Sequence, residues 1–99
     1  MQLLYYAPKL TAPTIESLQQ YTQRRFAKLS RFVPRLGHSD FNIKISVEKR
    51  RHVFVLSVEV PLSRPVYIQV EHSNLYAAID NAYDVIKKTI RRAKEKQRG

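Results

Sequence analysis

The 99-residue chain has no cysteine and no tryptophan, only two glycines, and eight acidic side chains against eighteen Lys and Arg. Each shortage excludes something. Without cysteine there is no disulfide framework and no thiolate metal site, and a reducing cytoplasm is the expected compartment. With Gly37 and Gly99 as the only glycines, no Gly-rich phosphate-binding loop can form. No apolar run approaches the ~20 residues that span a bilayer. The start Met1-Gln2-Leu3-Leu4-Tyr5-Tyr6 lacks the basic flank and small-residue cleavage site of a secretory signal, so none is expected. What remains is a chain that is 43% apolar, with ten aromatic residues and a formal charge of +10. That apolar content is too high for a disordered polymer, and the length fits one domain over residues 1–99. The excess charge points to a polyanionic partner, nucleic acid first.

Periodicity sets the order of elements. Leu3 to Tyr6 reads as a strand, and Thr14 as the cap of a helix carrying Glu16 in its first turn. Ile15, Leu18, Thr22, Phe26, Leu29 and Val33 then recur at helical spacing, with Pro34 and Gly37 ending the helix. The period changes to two at Phe41, Ile43, Ile45 and Val47, is interrupted at Lys49-Arg50-Arg51, and resumes at Phe54, Leu56, Val58 and Val60. This predicts a hairpin with a basic tip. After the turn at Pro61–Pro65, Val66, Ile68 and Val70 form a last strand, with Tyr67, Gln69 and Glu71 facing out. Ser73 or Asn74 caps a second helix, striped by Leu75, Ile79, Ala82, Ile86, Ile90 and Ala93. Asp80 and Asp84 lie early in it and the basic cluster late, as the helix dipole favours; residues 95–99 are expected to fray.

The order βαβββα, with one apolar stripe per helix, predicts an α+β fold. Two helices pack on one face of a four-stranded mixed sheet whose other face stays wet. Strand alternation sends Glu48, Glu59 and Glu71 to that open face. The helices take the opposite charge: Arg24, Lys28 and Arg31 on one flank of the first, and Lys87, Arg91, Lys94 and Arg98 on one flank of the second. Lys88, Arg92 and Lys96 lie on the far side of the second helix. Lysine and arginine often do no more than solubilise a helix surface. Here few acids are available for i,i+4 pairing, and the self-repelling flank implies a partner that offsets it. A basic amphipathic helix on anionic lipid would need its apolar stripe exposed, and the sheet claims that stripe.

His38 with Asp40, and Glu71 with His72, raise the question of metal or acid–base chemistry. Neither pair has helical two-ligand spacing, His52 sits beside Arg50-Arg51, and nothing converges two histidines or a histidine and a carboxylate as a ribonuclease requires. A non-enzyme with no cofactor, metal or small-molecule substrate is expected.

The segment Asn74-Leu75-Tyr76-Ala77-Ala78-Ile79-Asp80, followed by a basic helix end, resembles the signature of the ribosome hibernation-promoting factor family, also called the sigma-54 modulation proteins. Thr14, Leu18, Tyr21, Arg24-Arg25-Phe26 and Lys28-Leu29 resemble that family's first helix, and Val58-Glu59-Val60 its third strand. The resemblance spans nearly the whole chain. Asn74 stands where the family usually has Asp, Val85 where it often has Lys, and Thr89 where it often has Gln; the first loop lacks a frequent Gly.

The resemblance implies the same fold and a translation silencer of the short form, without a C-terminal dimerisation domain. It would occupy the mRNA and tRNA channel of the small ribosomal subunit. Arg24, Arg25, Lys28, Lys87, Arg91, Arg92, Lys94 and Lys96 become the implied rRNA contacts, and the charge pattern adds Arg31, Lys88 and the hairpin's Lys49, Arg50 and Arg51. Arg25 projects near the apolar stripe, where packing and phosphate contact are both open. Tyr76, Ala77, Ala78, Ile79 and Asp80 are expected to be structural. The alternative is a free-standing binder of structured RNA. In either case a monomer is expected off the ribosome.

Overall fold

The computed structural model of the chain describes residues 2–33, 41–62 and 64–98, with 93–98 described by backbone alone. Strand β1 (Gln2–Tyr6) leads into helix α1 (Ala12–Phe26), which tightens into a 3₁₀ turn over Ala27–Arg31. Strands β2 (Asn42–Arg50), β3 (Val53–Val60) and β4 (Val66–His72) follow, then helix α2 (Leu75–Arg98). The four strands form one sheet in the order β1-β2-β3-β4, with β1 parallel to β2 and the other pairs antiparallel. Helix α1 packs over β1 and helix α2 over β3 and β4, side by side on one face. This is the expected α+β, βαβββα arrangement.

The register bears out the alternation. Ile45 faces Val58, and Val47 faces Leu56; these residues are buried with Leu18, Phe26, Leu29, Ile79, Ile86 and Ile90 in one core. Phe54 shares that face at the hairpin end, half-buried. Glu48 and Glu59 stand on the opposite face, Glu59 level with Lys44 and Glu48 level with Val55. Val55 was not anticipated as a buried position: it is 1% exposed on the open face, outside the main core, flanked by Glu48 and Glu71.

Local expectations need correction in both helices. The cap of α1 is Thr11, not Thr14: its hydroxyl accepts the Thr14 N–H at 3.4 Å. Pro13 therefore lies in the first helical turn, where a missing N–H costs nothing. Glu16 thereby falls beyond the first turn. The helix also does not stay α-helical to Val33, since the 3₁₀ turn carries Leu29 into the core. The expected stop at Pro34 and Gly37 lies outside the described residues. In α2, Asn74 is the cap, accepting the N–H groups of Tyr76 (2.9 Å) and Ala77 (3.2 Å). No acid occupies the first turn of α2. Asp80 and Asp84 are too far along for the dipole effect, which fades within a turn.

One polar group sits deep in the core. Thr22 is fully buried; its hydroxyl donates to the Leu18 carbonyl at 2.6 Å and is hydrogen-bonded to the Tyr5 hydroxyl. The Tyr5 hydroxyl also lies 3.3 Å from the Leu18 carbonyl, so the cluster ties β1 to α1. Burial, only partly opposed by the Thr22 hydrogen bond, pushes the Tyr5 phenol up to about 12. A folded-state pKa above the unfolded one gives stability that is complete below pH ~10 and lost as pH rises through the folded value. Tyr5→Phe is therefore expected to flatten the alkaline limb of the stability curve between about pH 10 and 12. At pH 7 the lost hydrogen bond is expected to cost about 1 kcal/mol. Urea unfolding across that pH range measures both effects.

Candidate nucleic-acid interface

The outward surfaces of the two helices carry the charge. Residues 24–31 hold four basic side chains and no acid, and residues 85–92 hold four more and no acid. Arg24, Lys28 and Arg31 are exposed on the first helix and its 3₁₀ continuation; Lys88, Arg91 and Arg92 are exposed on α2, and Lys87 is half-buried. The Arg91 guanidinium carbon lies 5.8 Å from the centre of the Phe32 ring, so the two basic segments meet where the 3₁₀ turn reaches α2. The side chains of Lys94, Lys96 and Arg98 lie outside the described residues.

Arg25 behaves differently from Arg24. Its Nε donates to Asp80 Oδ1 at 2.7 Å, and its guanidinium sits 5.4 Å from the centre of the Tyr83 ring. Tyr21 donates to the same Asp80 oxygen at 2.6 Å, and its ring meets Tyr76 edge-on at 5.1 Å. Asp80 thus fastens α2 to α1 with two hydrogen bonds, and Tyr76 extends that seam. Beside it, Tyr21, Arg24, Arg25 and Lys28 line a shallow groove of about 240 Å³. Of the signature segment, Ala78 and Ile79 are buried in the core, while Ala77 and Asp80 are half-buried and Tyr76 is exposed.

Burial raises the pKa of Asp80, but the hydrogen bonds from Tyr21 and Arg25 outweigh it and hold the carboxyl below the usual range. The Tyr21 phenol is pushed up, chiefly by its bond to Asp80. A depressed carboxyl pKa contributes stability above the unfolded value of ~3.9 and loses it as pH falls through the folded one. Asp80→Asn is expected to cost about 1 kcal/mol at pH 7, the low end for a charge-assisted pair because both side chains are 34% exposed. The difference from wild type should shrink as pH falls through and below the ordinary carboxylate range, as Asp80 itself takes up a proton. Urea melts at neutral and acid pH check it.

The hairpin separates its three basic residues. Lys49 lies on the helix side, level with Phe54, its Nζ 5.8 Å from that ring. Arg50 lies on the open face, paired with Glu48 at 3.2 Å. Arg51 occupies the two-residue turn with φ of 50°, a left-handed conformation unusual for a side chain of this size. The structure thus exposes Arg24, Lys28, Arg31, Lys88, Arg91 and Arg92 on the helix layer, and leaves Arg50 on the other side of the sheet.

Glu71 and His72 do not assemble into a site. Alternation sends Glu71 and His72 to opposite faces of β4, and His72 Nδ1 accepts the Asn74 N–H at 2.9 Å. His52 is exposed in the turn, while His38 and Asp40 lie outside the described residues. Among the described residues no three His, Asp or Glu side chains gather as a metal site, and no helix is long and apolar enough to cross a membrane. Sequence reasoning missed the Tyr83 platform under Arg25 and the Phe32–Arg91 contact. A signal for the first was a tyrosine beside the apolar stripe, four residues from Ile79.

Comparison with curated protein sequences returns no match. Among solved structures, the fold is similar to the crystal structure of the Thermus thermophilus Protein Y N-terminal domain, with a TM-score of 0.71 at 22% identity, covering 93% of this chain and 98% of that one. It is similar also to a ribosomal subunit interface protein from Coxiella burnetii, with a TM-score of 0.72 at 14% identity, covering 96% of this chain and 99% of that one. At these identities the likeness concerns the fold. The family described as Sigma 54 modulation protein / S30EA ribosomal protein matches residues 13–98, which include both basic helix flanks and the Asp80 seam. The chain belongs to that family.

Proposed function

We propose that this protein is a ribosome-binding translation silencer, a hibernation factor of the cytoplasm. Its basic helix face contacts rRNA of the small subunit and occupies the mRNA and tRNA channel. The observation that carries this reading is the pair of acid-free segments, 24–31 and 85–92, exposed side by side on one layer of the fold. Folded RNA presents closely spaced phosphates, and each one neutralised releases counterions, so such a surface gains most from that partner. Membership of a family described by a ribosomal protein, and a fold shared with a ribosomal subunit interface protein, support the ribosome as the source of the RNA. Residues 1–99 act as one ribosome-binding domain, monomeric off the ribosome, with no cofactor and no catalytic step.

Cosedimentation with ribosomes and separated subunits from stationary cells tests the reading. The protein should pellet with small subunits and be displaced by mRNA or initiator tRNA. Pelleting that neither competitor reduces would instead support a general binder of structured RNA.

A further inference from the structure

The sheet face turned away from the helices carries its own chemistry. Tyr6 on β1 stands level with Ser46 and Ser57, and Tyr67 on β4 stands level with Glu59 and Lys44. Both tyrosines are largely exposed, at 70% and 66%. The short serine side chains leave a shallow trough of about 160 Å³ walled by Lys44, Glu59 and Tyr67. Glu48 and Glu71 lie further along the same face, and Arg50 there is already engaged by Glu48. A strongly basic protein has thus gathered three of its eight acids, with two exposed aromatic rings, on the one face that the helices do not use.

With Arg50 engaged by Glu48, the face sets Lys44 against Glu59 and Glu71, a net acidic balance that disfavours phosphate. It favours guanidinium, which stacks on tyrosine and pairs in a fork with carboxylate. Tyr6 and Tyr67 are on opposite edge strands, three strand spacings across and two residues along, so their backbones stand roughly 16 Å apart. An extended peptide places side chains four residues apart on one side at about 13–14 Å, a span that long arginine side chains extend to both rings. We propose that the open sheet face is a docking surface for an extended, arginine-bearing protein segment. The rings receive arginines four residues apart, and Glu59 takes the one between them. This surface is independent of the helix face, so the protein can hold RNA on one side and protein on the other.

The test is an NMR titration of the ¹⁵N-labelled full chain with a capped hexapeptide alternating arginine and valine. Amide shifts should concentrate at Tyr6, Ser46, Ser57 and Tyr67, with sub-millimolar affinity. The same peptide with glutamate for arginine should give none. The double variant Tyr67→Ala/Glu59→Gln changes two surface positions and should weaken peptide binding at least about tenfold while leaving ribosome cosedimentation unchanged. Three results would overturn the proposal. One is the absence of sheet-face shifts at millimolar peptide. The second is equal shifts there from a short RNA duplex, which would make the face a nucleic-acid site. The third is sheet-face shifts that follow protein concentration without peptide, which would make the occupant a second copy of the chain.

Discussion

Reversing Arg91 and Lys94 to glutamate is expected to weaken ribosome binding at least about a hundredfold while the protein stays folded. On the proposed rRNA-binding reading each residue would supply a charge-assisted hydrogen bond to phosphate, and two such bonds at ~1.5 kcal/mol each account for that factor before the new repulsion is counted. Arg91 is exposed and lies over the Phe32 ring; losing that contact costs ~0.5–1 kcal/mol, too little to unfold a domain. The salt dependence gives a second reading of the same surface. About six phosphate contacts correspond to a log–log slope of roughly −4 to −5, and the double variant should lose about two units of it. Lys44→Glu, on the open sheet face, is the matched control and should change affinity less than about threefold. Filter binding or sedimentation across a salt series, with circular dichroism for the fold, decides it. A double variant that remains folded and still silences translation as well as wild type would shift the assignment to Lys49, Arg50 and Arg51.

Phe26→Ala is expected to be the most destabilising single substitution in the seam between the helices, at about 3–5 kcal/mol. Phe26 is fully buried at the last residue of α1, its ring 6.4 Å from that of Tyr83. Removing it opens a cavity beneath both Arg25 and the start of the 3₁₀ turn. A domain of this size has ~5–15 kcal/mol in total, so the variant should show a much lower urea midpoint with a similar slope. Ile15→Ala, on a half-buried residue of the same stripe, should cost well under half as much. Because the cavity lies between the helices, ribosome binding by the folded fraction should also fall. A destabilisation below about 1 kcal/mol would show that this seam is not the centre of the core.

The parts of this fold that could be read from sequence are those governed by local period. Ile43, Ile45 and Val47 alternate with polar residues, so β2 and its buried face follow from residue type alone. The stripe of α2 is legible for the same reason, with Ile79, Ile86 and Ile90 all buried. What could not be read depends on distant parts of the chain. Asp80 meets residues 55 and 59 positions away, and no spacing rule links them. The start of α1 was misplaced because Thr11 and Thr14 are equally good caps in isolation. Pro13 decides between them by fitting the first turn. The basic tip was misjudged in another way. The period-two pattern does run through Lys49 and Arg50, and β2 extends to Arg50, so these two neighbours point to opposite sides of the sheet.

The change from α-helix to 3₁₀ turn at Ala27 alters how the basic side chains line up. In an α-helix, residues three apart are displaced by about 60° around the axis. In a 3₁₀ turn they eclipse, and the rise per residue lengthens from about 1.5 to about 2.0 Å. Arg31 therefore stands almost directly beyond Lys28, some 6 Å further along the axis, rather than swinging round the cylinder. A spiral of positive charge becomes a straight column at its far end. A column can follow one strand of a polyanion without twisting to keep pace with it, and the tightened turn gives it that alignment with no residue changed.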